Sequence, residues 1–129
     1  HEYTHVVVRH IVGDNVPWWL NEGLAEVFSN GLSAADVQTL QQVYQSGNAF
    51  SIADLQEHQL LKLPPDALQI AYLQGHATVQ HLWNRYGRRP LLVLLNHLAE
   101  GASPEQALRE AYGHTYAKLD KEVAASYRP

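Results

Sequence analysis

His1-Glu2-Tyr3-Thr4-His5 puts two imidazoles four residues apart around a carboxylate. In a helix, positions i and i+4 face the same way, so a single ion can take both rings. Glu2 lies one position round, near such an ion without having to bind it, where the general base for an attacking water belongs. Seventeen residues after His5 comes Glu22, inside Trp19-Leu20-Asn21-Glu22-Gly23-Leu24-Ala25-Glu26. His1, His5 and Glu22 together form a zinc ligand set that leaves one position for water. Bound zinc lowers the pKa of water and polarises a carbonyl. The chemistry implied is a zinc-dependent hydrolysis in which Glu2 takes the proton of the attacking water and hands it to the leaving amine.

Other residues read as support. Trp18, Trp19, Leu20, Leu24, Val27 and Phe28 make the segment around Glu22 apolar, so two acids within it need a reason. Glu26, one turn after Glu22, is placed to accept the second N–H of a ligand histidine, and Asn21 is a further supporting residue beside the ligand. Gly23 leaves room for another backbone or for the metal-bearing helix to approach closely. Tyr72, in Tyr72-Leu73-Gln74-Gly75-His76, is the candidate donor to the oxyanion of a tetrahedral intermediate; the alternative is a core tyrosine bonded to a carbonyl. Gly75 in mid-helix costs about 1 kcal/mol against Ala, which argues for close packing there on the helices that carry the site. His76, one turn after Tyr72, is read either as lining a substrate pocket or as a structural histidine.

The elements that must hold these residues read as helical almost throughout. Helices are predicted over 1–12, 17–29 with Pro17 opening, 33–45 with Ser33 and Asp36 as a capping box, and a short 52–58 capped by Ser51. Pro64-Pro65 opens a long helix to Tyr86, Pro90 opens the next to Glu100, Ser103-Pro104-Glu105-Gln106 starts one to Tyr112, and the last covers 115–126. Val6-Val7-Val8 has strand propensity, but the helical spacing of His1 and His5 assigns it to a helix, packed against the core. Arg85, Arg88 and Arg89 cluster near a helix end, where the helix dipole favours positive charge.

Composition narrows the function classes. The 129 residues fit one domain, and 46% of them are apolar. The net charge of -4, with nine Lys and Arg in no long run, suggests no nucleic-acid partner. No stretch approaches a membrane span. The absence of cysteine excludes a thiolate zinc site and leaves His, Asp and Glu as ligands. The chain starts inside its own motif, so targeting information is expected upstream, with a bacterial cell envelope or secretion the setting considered.

His1-Glu2-Tyr3-Thr4-His5 taken with Pro17-Trp18-Trp19-Leu20-Asn21-Glu22-Gly23-Leu24-Ala25-Glu26 resembles the gluzincins, zinc peptidases whose third ligand is glutamate. Within them it looks like the bacterial peptidase MA-like domains, relatives of thermolysin and of the M1 aminopeptidases. The resemblance spans nearly the whole chain, being strongest at the zinc motifs. It implies His1, His5 and Glu22 as ligands of Zn2+, Glu2 as general base and Glu26 as the acid behind a ligand histidine. Tyr72-Leu73-Gln74-Gly75 resembles the tyrosine-bearing stretch of the M1 group, which implies Tyr72 at the oxyanion. The implied substrate is a peptide or protein. The implied fold is mainly α: a multi-helix orthogonal bundle over residues 1–129, the helical zinc-binding subdomain of a metallopeptidase catalytic domain. The sixteen residues between His5 and Glu22 are fewer than in standard members, which implies a shortened loop. The β-sheet subdomain that precedes the motif in the family, and pairs an edge strand with substrate, is expected in the same parent chain upstream of His1. The isolated segment is accordingly expected to be less active than its parent and to expose an apolar face. Two other readings stand beside hydrolysis: a catalytically weak or inactive peptidase-like binding or processing module, and a purely structural helical domain.

Overall fold

A computed structural model describes residues 2–29, 31–56 and 62–128, apart from the side chain of Glu2. All regular structure among them is helical, and no strand is present. The helices are α1 (Glu2–Val12), α2 (Trp18–Ser29), α3 (Ala34–Gln45), α4 (Pro65–Tyr86), α5 (Arg88–Ala99), α6 (Pro104–Tyr112) and α7 (Tyr116–Ser126), with a 3-10 turn at Ile52–Leu55. The mainly α architecture expected from the sequence is therefore the observed one.

Local chemistry accounts for most helix starts. Ser33 Oγ accepts from the Asp36 N–H at 3.1 Å while Asp36 accepts from the Ser33 N–H at 3.2 Å, a complete capping box. Ser103 and Thr115 cap α6 and α7 through the N–H groups of Gln106 and Lys118. Ser51 caps only the 3-10 turn, and residues 57 and 58 of the longer helix expected there lie outside the described residues. α5 begins at Arg88 rather than at Pro90. Gly87, at φ 78, turns the chain directly from α4 into α5. The proline then falls in the first turn, where the N–H groups have no partner within the helix and its missing one costs nothing. Arg88 and Arg89 consequently sit at the start of α5, not at a helix end that their charge would favour. Only Arg85 closes a helix, with its guanidinium 5.5 Å from the centre of the Tyr86 ring.

α4 is the axis of the fold. Gln74 to Val79 are buried without interruption, so this stretch has neighbours on every side. α2 crosses it at Gly23, where a Cβ would run into the Gly75 carbonyl and the Val79 side chain. The glycine allows a close approach, as expected, but the partner is α4 and not the helix carrying His5. Asn15, in the loop after α1, donates to the carbonyls of Leu98 and Ala102, both at 2.9 Å, and ties that loop to the end of α5.

The valine run in α1 does not pack as a block. Val8 is buried with Val12, whereas Val6 is 66% and Val7 36% exposed. Successive helical residues rotate by about 100°, so three in a row cannot share a face. Tyr3, Val6, Val7 and Ile11 give α1 the exposed apolar face expected of this segment.

Candidate active site

α1 and α2 run into each other through a short turn, and this brings His5 against Asn21 and Glu22. His5 Nδ1 lies 2.8 Å from Asn21 Oδ1, and His5 Nε2 lies 3.6 Å from Glu22 Oε2. An amide oxygen only accepts, so Nδ1 carries the proton in this contact, and in the neutral ring Nε2 then keeps the lone pair. That lone pair faces a carboxylate oxygen. Two electron-rich atoms held this way attract a cation, and the surroundings are partly shielded: the side chains of His5 and Glu22 are 20% and 15% exposed.

His1 lies outside the described residues. Glu2 opens α1, and its side chain lies outside them as well. Among the described residues no group of three or more His, Asp and Glu side chains is arranged to hold a metal ion. Of the supporting residues, Asn21 is the one on His5. Glu26 lines a neighbouring cavity with Tyr72 and His76.

Tyr72 stands on α4 opposite this pair. Its ring packs on Trp18, centroids 5.0 Å apart, and its phenol is pushed up in pKa by burial, then by the charges of Glu22 and Glu26. A phenol raised this way keeps its proton at neutral pH and is a hydrogen-bond donor. His76, one turn along, is 4% exposed. Burial holds its pKa down against the pull of Glu26 and Asp36.

The cavity encloses about 480 Å3 between α2, α3 and the first half of α4. Tyr72 forms part of its wall, together with Glu26, Asp36, His76, Leu68 and Leu73. Asp36 was visible in the sequence only as a helix cap; its second position, facing His76, depends on how α3 lies against α4 and leaves no mark in spacing. Gln74 was likewise read only as part of the tyrosine stretch. It is 1% exposed and both accepts from the Phe50 N–H and donates to the Phe50 carbonyl, each at 2.9 Å.

A family model described as the Peptidase MA superfamily matches residues 1–128. No curated protein and no solved structure gives a match.

Proposed function

Since this chain belongs to the peptidase MA superfamily, we propose that it is a zinc-dependent hydrolase of peptide bonds, with Zn2+ held by His1, His5 and Glu22. The observation that carries the reading is the His5–Glu22 pair. Two ligand atoms each about 2.0–2.1 Å from a tetrahedral zinc stand roughly 3.3–3.4 Å apart. The 3.6 Å between Nε2 and Oε2 is close to that, and the lone pair on Nε2 is the one a metal needs. A nitrogen–oxygen donor set without thiolate suits zinc. When bound, zinc supplies Lewis acidity toward water and toward a carbonyl oxygen.

The chain's own residues do the rest. Asn21 fixes the His5 ring and its tautomer. Glu2 accepts a proton from the attacking water and delivers it to the amine nitrogen as the peptide bond breaks. The Tyr72 O–H, kept protonated by its surroundings, donates to the oxyanion of the tetrahedral intermediate. Removing such a donor elsewhere costs on the order of 10²–10³ in rate, which sets the expected size of a Tyr72→Phe effect.

The test is zinc stoichiometry by elemental analysis beside cleavage of a peptide library. Glu2→Gln should keep zinc and lose hydrolysis, and persistent cleavage in that variant would remove Glu2 from its role. Glu22→Ala should lose zinc, and undiminished zinc affinity would remove Glu22 from the ligand set.

A further inference from the structure

We propose that the groove between α1, α2, the end of α4 and α5 binds a medium-chain carboxylate, with Arg88 on its head and apolar wall along its tail. The groove encloses about 530 Å3, the size of a small-molecule site. Val8, Leu24 and Leu95 form a buried floor, and Ile11, Phe28 and Leu92 form half-exposed walls. Trp83 also lines it and packs edge-on against Phe28, ring centroids 5.4 Å apart. Along α5 the lining runs from Arg88 to Leu95, which is about 10 Å of helix. An unbranched chain can follow that length and leave its head at the arginine.

Among the described residues that line the groove, Arg88 alone carries charge. It is exposed and makes no ion pair with any described residue. Nor does its charge serve its own helix: the start of α5 is already positive, and no acid stands in the first turn. An unanswered guanidinium beside apolar surface suits a carboxylate, whose two oxygens it can hold in parallel. A protein layer spread over the groove would bury that guanidinium or have to supply the same carboxylate. The head of a small ligand answers the charge and leaves it in water.

The groove is separate from the candidate active site. Tyr3 and Val7 line it, each two residues from His5 and so about 160° around α1 from that ring. A bound chain therefore braces the back of the helix that carries His5 without meeting the atoms that face Glu22.

The full chain is titrated with hexanoate, octanoate, decanoate and octan-1-ol, each below its micelle-forming concentration, following the tryptophan indole N–H signals by NMR. Octanoate is expected to bind about fivefold more tightly than octan-1-ol, the size of an exposed ion pair. Decanoate should bind about tenfold more tightly than octanoate, for two further methylenes buried. The Trp83 signal should move, and the Trp18 signal, beside Tyr72, should not. The advantage over the alcohol should vanish in Arg88→Gln and survive in Arg89→Gln, the same change of charge outside the lining. Leu92→Glu, at a half-exposed position that the fold tolerates, should abolish octanoate binding. Equal affinity for acid and alcohol, no gain from octanoate to decanoate, or an advantage lost equally in both arginine variants overturns the proposal. So does movement of Trp18 without Trp83, which gives the acid to the His5–Glu22 pair. A dimer that Leu92→Glu dissolves, with no carboxylate bound, gives the groove to a second copy and overturns it as well.

Discussion

An imidazole offers one nitrogen to a metal reliably only when its other nitrogen is held, and for His5 the holder is Asn21. Asn21→Ala frees the ring to rotate and to change tautomer. Zinc affinity is expected to fall by about 10–100-fold, read by competition with a chromogenic chelator, with little change in Tm. Asp120 shows a different residue-scale effect. Burial, with Asp54 adding to it and the Ile52 N–H opposing, raises its pKa from 3.8 to about 6. The folded state therefore binds more protons than the unfolded one between those two values, so stability falls as pH rises across that window. Above pH 6 the whole penalty is present. Asp120→Asn keeps an acceptor for Ile52 and removes the charge. It should stabilise the protein by about 1–2 kcal/mol at pH 8 after allowing for solvent screening, and by almost nothing at pH 3.5. Chemical denaturation at the two pH values measures this.

At the scale of elements, the crossing of α2 and α4 decides where Glu22 and Tyr72 stand relative to each other. The Gly23 Cβ would strike the backbone carbonyl of Gly75, which cannot swing aside as a side-chain tip would. The Gly75 Cβ would meet only the Trp19 carbonyl at 3.3 Å, a tight but adjustable contact. Gly23→Ala is thus expected to cost about 2–4 kcal/mol. Gly75→Ala should cost much less, because Ala returns up to about 1 kcal/mol of helix propensity. Equal losses in urea denaturation would contradict the asymmetry. The loop after α3 is fastened to α4 where Gln74 bonds both backbone groups of Phe50. Gln74→Leu strands those two groups and should destabilise by about 2–4 kcal/mol by the same measurement.

At the scale of the whole molecule, the C-terminal helix is joined to the central one by a polar cluster. Glu122 on α7 meets His81 at 2.9 Å, His114 at 2.9 Å and the Tyr86 hydroxyl at 2.9 Å. Burial pushes the Glu122 carboxyl up, but hydrogen bonds from His81 and Tyr86 and the charges of His114 and His81 bring it, on balance, below 4.5. A carboxylate depressed in the folded state adds stability at neutral pH and loses it as pH falls through its folded value. Glu122→Gln should therefore lower Tm at pH 7, and the gap to the wild type should close as pH falls through the depressed value of the folded carboxyl. The dependence runs opposite to that of Asp120, two residues earlier on the same helix, so the two variants are distinguishable in one pH series.

What the amino-acid sequence determined by itself is what depends on neighbours along the chain. His1, Glu2 and His5 share a motif because helical spacing alone aligns them, and Ser33, Ser103, Thr115 and the Pro64-Pro65 pair mark helix starts through bonds or constraints that span a few residues. The mainly helical class followed from those signals, as did the need for room at Gly23 and Gly75. Tertiary structure decided which partner each of them meets. Val6 and Val7 turn outward because only Val8 and Val12 find the core. Gly23 is crossed by α4 because the contact spans some fifty residues of chain, which no local pattern encodes. Asp36 faces His76 across a cavity for the same reason. The proposed metal site could be read from ligand types and short spacings; the cavity beside it could not, because packing distant helices together is what creates it.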